Sequence, residues 1–83
     1  MKNLGKVPAI KAYVFRSNSN LEIALVLLNE QFPKTEQVKS SDKNYPLFIA
    51  ADSASYFIEE AVKNLKKAQK HVDFIYENEN LLE

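Results

Sequence analysis

Residues 52–78, DSASYFIEEAVKNLKKAQKHVDFIYEN, have an apolar spacing that fits one long helix. Seven apolar residues recur at alternating steps of four and three, which places them in one stripe: Ala54, Ile58, Ala61, Leu65, Ala68, Val72 and Ile75. Asp52 or Ser53 is expected to cap the helix. The three alanines recur every seven residues and would let the helix lie close against a sheet, or against its own copy in a dimer. The sequence therefore predicts a helix with one buried stripe.

The N-terminal half of the chain favours a β-hairpin. Residues 8–16, PAIKAYVFR, are rich in β-branched and aromatic residues, and the small polar residues 17–20, SNSN, are typical of a turn. Residues 21–32, LEIALVLLNEQF, fit either a helical stripe or a second strand. Folded back on 8–16, they form one aliphatic face and one mixed face, as a sheet covered on one side requires. We favour the hairpin and keep a helix over 20–32 as the alternative.

The remaining segments complete an α+β prediction. Residues 34–44 are polar and indicate an edge strand or a loop, whereas 45–51, YPLFIAA, have the length and composition of a strand that begins near Pro46. The predicted fold is a small antiparallel sheet of three or four strands packed against one long C-terminal helix; the alternative is βαβα. We expect a single domain over 1–83, with the following parts: lead-in 1–7, sheet 8–51, helix 52–78 and acidic tail 79–83.

Composition limits the function classes. The chain has 83 residues, no cysteine and a formal net charge of zero, which excludes disulfides and thiolate chemistry and argues against a basic duplex-DNA binder. It contains neither an apolar run of membrane-spanning length nor a signal-peptide core, so we expect a cytoplasmic protein. A chain of this size forms only a small core, and a homodimer is the default expectation.

Few residues are suited to catalysis. His71 is the only histidine, and no cysteine or carboxylate set lies beside it at metal-ligand spacing. The adjacent Glu59 and Glu60 would diverge by about 100° on a helix, and the single glycine makes no phosphate-binding loop. We therefore expect a binding protein that is not an enzyme and needs neither a metal nor another cofactor.

Two surface features are candidates for binding. On the mixed face of the predicted hairpin, alternating aromatic and basic side chains suit the stacking of unpaired bases, with further lysines available for phosphates. These candidate nucleic-acid-binding residues are Lys11, Tyr13, Phe15, Arg16, Lys34, Lys39 and Lys43. The alternative is that the two aromatic residues belong to the core or to a dimer interface.

The second feature is a basic ridge on the predicted helix. Its members would cover about a third of the helix circumference and could contact a partner protein: Lys63, Lys66, Lys67 and Lys70. Such ridges are also common as solvated surfaces that bind nothing.

Two stretches resemble a known repeat in the order of their predicted elements. AIKAYVFRSNSNLEIALVLL as a first hairpin, with NYPLFIAADSASYFIEEAVKNLKKA as last strand and helix, resembles the ββββα repeat of the Pur-alpha family, the Whirly proteins and positive-cofactor-type transcription coactivators. The resemblance implies binding of single-stranded nucleic acid by a dimer through an open sheet face. It assigns that role to Lys11, Tyr13, Phe15 and Arg16.

The sequence thus supports two function hypotheses. One is a dimeric module for single-stranded nucleic acid. The other is a small protein-binding accessory or inhibitor protein, of the kind that a phage or mobile element encodes to block a host defence or transcription enzyme. Small size and charges of both signs suit the second equally well.

Overall fold

The computed structural model describes residues 5–34 and 38–78, and these form two α-helices. Helix α1 spans Val7–Gln31 with 25 residues, and helix α2 spans Tyr45–Glu77 with 33 residues. They pack antiparallel as a helical hairpin, with no strand within the described ranges. The predicted α+β fold and its βαβα alternative are therefore wrong. The N-terminal four residues of the lead-in, residues 35–37 of the polar segment and the acidic tail lie outside the described residues.

The two prolines that suggested strand ends lie instead at helix starts. Pro8 and Pro46 are the second residues of α1 and α2. The first four backbone N–H groups of a helix have no intrahelical acceptor, so a proline there loses no hydrogen bond, and its fixed φ suits the helix. Residues 45–51, predicted as a strand, consequently form the first turns of α2.

The predicted turn at residues 17–20 lies in the middle of α1. Asn18 is buried against α2, whereas Ser17 and Asn20 are exposed on the helix surface. Turn preference is a local tendency of a few residues. Here it is outweighed by the apolar stripe that continues on both sides of the tetrapeptide and packs against α2 over the whole length of α1.

The two helices meet along one seam whose residues recur at steps of three and four, the spacing of an antiparallel coiled coil. All of them are buried or half-buried. The α1 seam consists of Val7, Lys11, Val14, Asn18, Leu21, Leu25, Leu28 and Phe32. The α2 seam consists of Phe48, Ala51, Ser55, Ile58, Val62, Leu65, Gln69 and Val72.

The apolar surface of α2 is wider than the strip of it that packs against α1. Of the predicted stripe, Ile58, Leu65 and Val72 lie in the seam, whereas the three alanines lie beside it and are half-buried. Ile75, the last member, is 47% exposed. One neighbouring helix covers only one stripe, and the flank of α2 therefore stays partly in contact with solvent.

Two polar contacts between the helices set their register. Asn18 Nδ2 donates to Gln69 Oε1 at 3.5 Å, and Ser55 Oγ donates to Asn29 Oδ1 at 3.5 Å. Asn18 and Ser55 are 7% and 2% exposed, so they are as deeply buried as any apolar residue of the seam. Sliding one helix along the other would separate these groups and leave them buried without partners, which is costly.

The connection between the helices is held by local contacts at the closed end of the hairpin. The Asp42 carboxylate accepts a hydrogen bond from the backbone N–H of Asn44 at 2.8 Å, which forms a tight turn before α2. Phe32 and Phe48 pack edge to face with ring centroids 5.3 Å apart. The connection therefore continues the seam past the end of α1.

A pair of neighbouring substitutions tests the seam. Leu65→Asp places a carboxylate in the seam and should lower the free energy of unfolding by about 2–4 kcal/mol. Lys66→Asp places the same side chain on the exposed neighbour, with the same helix propensity, and should change it by less than about 0.5 kcal/mol. Urea denaturation followed by circular dichroism measures both values, and equal losses would contradict the seam assignment.

A second pair tests the role of the polar contact. The Oδ1 atom of Asn18 is buried without a hydrogen-bond partner within the described structure. Replacing both residues, Asn18→Leu with Gln69→Leu, should raise the free energy of unfolding by about 1 kcal/mol, because it removes the unmet acceptor and adds apolar contact. Gln69→Leu alone leaves Asn18 unpaired and should be less stable than the double variant. A double variant that melts below the wild type would contradict this interpretation.

Candidate interaction surface

The hairpin has two broad sides, one on each side of the plane that contains both helix axes. Ion pairs between the helices identify one of these sides. On this side Lys11 Nζ lies 3.7 Å from Asp73 Oδ1, and Lys34 Nζ lies 3.5 Å from Glu59 Oε1. A groove of about 310 Å³ on the same side is lined by both helices: Pro8, Lys11, Ala12, Phe15, Gln69 and Tyr76. We call this the charged side, because α2 contributes seven charged residues to it: Asp52, Glu59, Lys63, Lys66, Lys70, Asp73 and Glu77.

On the opposite broad side, the stripe that each helix contributes carries no formally charged residue, although Lys6 directly precedes the α1 stripe and Arg16 lies at its edge. Each helix contributes one stripe to it, again at steps of three and four beside the seam. The α1 stripe is Ile10, Tyr13, Ser17, Asn20, Ala24, Leu27 and Gln31. The α2 stripe is Leu47, Ala50, Ala54, Phe57, Ala61, Asn64, Ala68, His71 and Ile75. None of these sixteen positions holds Lys, Arg, Asp or Glu, and we call this surface the uncharged side.

Large apolar side chains of the uncharged side are exposed to solvent. Phe57 is 68% exposed and Leu27 is 60% exposed. Ile10, Tyr13, Leu47 and Ile75 are exposed as well. The charged side also exposes apolar groups, among them Phe15 and Val26, but there they alternate with the charges of α2. A surface that combines exposed apolar residues with few charges is typical of an interface core.

The middle of the uncharged side is lined by small residues. Ala54, Ala61 and Ala68 follow one another at intervals of two helical turns and are half-buried along the flank of the seam. Alanine leaves the backbone accessible, so a second helix can approach closely there. The large side chains lie toward the two ends, with Ile10 and Ile75 at one end and Leu27 and Phe57 toward the other.

Helix α1 separates the aromatic residues that were predicted to share a nucleic-acid-binding face. Tyr13 and Phe15 are two residues apart, which places them about 200° apart on a helix rather than on one face of a strand. Tyr13 lies on the uncharged side and Phe15 on the charged side. The sheet face that would have presented both is therefore absent from the described structure.

The cations of this segment contact groups within the chain. Lys11 is half-buried, and its Nζ lies 4.2 Å from the centroid of the Tyr76 ring as well as near Asp73. The Arg16 guanidinium lies 5.3 Å from the Tyr13 ring centroid, one turn away on the same helix. Both cations thus interact with neighbouring side chains of the hairpin.

The other predicted phosphate contacts lie at the far end of the molecule. Lys34 follows α1 and pairs with Glu59, while Lys39 and Lys43 are exposed in the connection between the helices. About 30 Å of helix, from Lys11 to the end of α1 at Gln31, separates Lys11 from Lys34. The structure therefore does not bring the seven predicted residues together.

The predicted basic ridge lies on the surface of α2 away from the uncharged side. Lys63, Lys66, Lys67 and Lys70 are all exposed. Lys63 Nζ donates to Glu60 Oε2 at 3.3 Å, in an exposed pair one turn apart. Glu59 and Glu60 precede the ridge and Asp73 follows it, while residues 61–72 contain its four lysines and no carboxylate.

Neither a metal-binding cluster nor a membrane span is found in the part of the chain that the structure describes. No three His, Asp or Glu side chains in residues 5–34 and 38–78 are grouped as metal ligands. Over the same residues, neither helix has the length and apolar content needed to cross a bilayer. His71, the only histidine, is exposed on the uncharged side.

Sequence reasoning missed the α1 half of the uncharged side. The signal was available: Leu21, Leu25, Leu28 and Phe32 have the spacing on which the helical alternative over 20–32 rests. Continuing that spacing toward the N-terminus reaches Val14 and Val7, and the flanking stripe through Leu27 and Ile10 then follows. The polar tetrapeptide 17–20 interrupted this pattern and led to the strand prediction.

Comparisons of this chain with protein-family models, curated proteins and solved structures gave no match. The resemblance to the ββββα repeat of the Pur-alpha and Whirly proteins is wrong, because that repeat is built on a sheet and the described residues form two helices.

Proposed function

We propose that this protein is a binding module that acts by completing a helical bundle, its uncharged side packing against further helices. The observation that carries the proposal is the stretch of sixteen surface positions without a formal charge. At the overall charged fraction of 27%, about four of them would carry a charge if surface composition were uniform. The proposed role is that of a protein-binding accessory protein without chemistry of its own.

The form of the hairpin supports this role. Its radius of gyration is 18.7 Å, whereas a compact domain of 83 residues has about 12 Å. Only two apolar residues, Val7 and Ala51, are buried, and no large side chain is fully enclosed within the described residues. A single pair of helices has no interior, so further helices are needed to enclose the apolar groups of α1 and α2.

The electrostatics of the charged side favour a protein partner over nucleic acid. The four lysines of the ridge lie between Glu59 and Asp73, and the chain as a whole is neutral. Affinity for a nucleic acid backbone comes largely from counterion release, and the carboxylates at both ends of the ridge offset part of its attraction for phosphates. The uncharged side, by contrast, combines exposed apolar residues with neutral polar ones.

Single-cysteine variants test whether the uncharged side is covered in the cell, since the natural chain has no cysteine. Leu27→Cys reports on the uncharged side, and Val26→Cys is its matched control on the charged side, with 60% and 57% exposure at the two positions. A membrane-permeant maleimide added to cells that produce the protein should label the Leu27→Cys variant at least about tenfold more slowly than the Val26→Cys variant.

Equal labelling of the two variants in cells would contradict the proposal, because a surface that binds helices must exclude the probe. Slow labelling of both variants would show that the charged side is covered as well as the uncharged side. That result would also contradict the proposal. Labelling after denaturation in urea provides the common reference, since both thiols should then react equally.

A further inference from the structure

We infer that the helices covering the uncharged side belong to a second copy of this chain, so that two hairpins pack face to face as a four-helix bundle. This inference rests on the proposed function and names its partner. The bundle would be a symmetric dimer in which the same surface of each copy contacts the other. Both uncharged sides would be buried, and both charged sides would face solvent.

Charge complementarity is the first argument for a second copy. In a symmetric dimer each charged residue near the axis meets its own copy, which repels it. The uncharged side has no such residue at any of its sixteen positions, whereas the stripe of α2 on the charged side has seven. The net charge of zero also means that two copies approach without long-range repulsion.

The available area is the second argument. The accessible surface is 6657 Å², while a compact protein of 9.5 kDa exposes about 5,000 Å². The two helices lie side by side over the length of α1, about 37 Å, and together are about 20 Å wide, which gives a projected face of about 740 Å². A stable dimer buries about 600–1,000 Å² per partner. The area of the uncharged side lies within that range.

The polar residues of the surface provide the third argument. Asn20 and Asn64 lie near the midpoint of the hairpin, and the register set by Asn18 with Gln69 places them at levels along its long axis that differ by less than about one helical turn. In a symmetric dimer the midpoint lies on the two-fold axis. An asparagine amide has both a donor and an acceptor, so it can pair with the same residue of the other copy. A central asparagine also selects one oligomeric state over others.

The distribution of side-chain sizes fits this arrangement. Ala61 and Ala68 in the middle allow the α2 helices of two copies to approach closely, as the spacing of the alanines suggests. Phe57 and Leu27 toward one end, and Ile10 and Ile75 at the other, would then enclose the alanines on both sides. Large residues around a small-residue centre pack as knobs into holes rather than colliding.

The solution mass of matched variants tests the inference. Sedimentation equilibrium of the wild type at about 50 μM should give twice the 9.5 kDa mass of one chain. Leu27→Lys inserts two cations into the dimer interface and should reduce the mass to that of one chain. Val26→Lys adds the same charge to the charged side at equal exposure and should leave the dimer intact. The midpoint of thermal unfolding should rise with concentration for the wild type and Val26→Lys.

A monomeric wild type would overturn the inference, as would a variant pair in which Val26→Lys dissociates the dimer and Leu27→Lys does not. If Leu27→Lys fails to fold, as its circular dichroism would show, maleimide labelling of the purified Leu27→Cys and Val26→Cys chains decides the question.

In the purified proteins, slow labelling of the Leu27→Cys chain together with rapid labelling of the Val26→Cys chain supports self-association. If the Leu27→Cys chain is labelled rapidly when pure but slowly in cells, the inference fails and the proposed function stands. If it is labelled as rapidly as the Val26→Cys chain under both conditions, the proposed function fails as well.

Discussion

Two helices can share only one seam, and this constraint governs the rest of the structure. Each helix of the hairpin presents a single stripe to the other, while the apolar residues of both occupy more of the circumference than that stripe. Helix α1 is the extreme case, since residues 23–28, IALVLL, place apolar groups on every side of it. The seam holds the hairpin together and at the same time leaves an excess of apolar surface. That excess is the basis for assigning the molecule a binding role.

The seam combines apolar packing with polar groups that specify how the helices align. Leu25 and Leu28 on α1, with Ile58 and Leu65 on α2, are aliphatic and would pack almost as well after a shift of one heptad. The buried Asn18, with its partner Gln69, distinguishes the correct register from the shifted ones. Stability and specificity therefore come from different residues of the same seam. The same division applies to the uncharged side, where the asparagines at its midpoint lie among alanines and larger apolar residues.

The two broad sides of the hairpin differ in how strongly water solvates them, and they are suited to different roles. Charged residues of both signs cover one side and the outer surface of α2, where Lys63 and Glu60 pair and the other three lysines are followed by Asp73. Such surfaces stay hydrated, because removing each charge from water costs more than a surface pair returns. The uncharged side has no comparable cost of desolvation. An elongated hairpin with one charged side and one uncharged side is suited to assembly through the uncharged side.

The helical character of residues 52–77 and the period of their apolar residues followed from sequence, because amphipathic spacing over many turns has few alternatives. The alanine flank was visible in the same way, and Ala54, Ala61 and Ala68 already suggested close approach by another element. The N-terminal half was not predictable on the same grounds. Its apolar residues are too numerous to define a face, and residues 17–20 have a strong turn preference that long-range packing overrides. Pro8 and Pro46 are compatible with both a strand end and a helix start, so they could not decide between them.

Sequence by itself determined the long helical period of the C-terminal half, the absence of cysteine and the balance of charges, since these depend only on residue type and spacing. Tertiary structure alone decided that α1 continues as one helix through residues 17–20, that Tyr13 and Phe15 lie on opposite sides, and that the uncharged stripes of the two helices share one surface. The physical reason is that the residues beside a stripe of one helix depend on which helix packs against it and in which register. The contacts that set them, Asn18 with Gln69 and Ser55 with Asn29, join residues 51 and 26 positions apart in the chain.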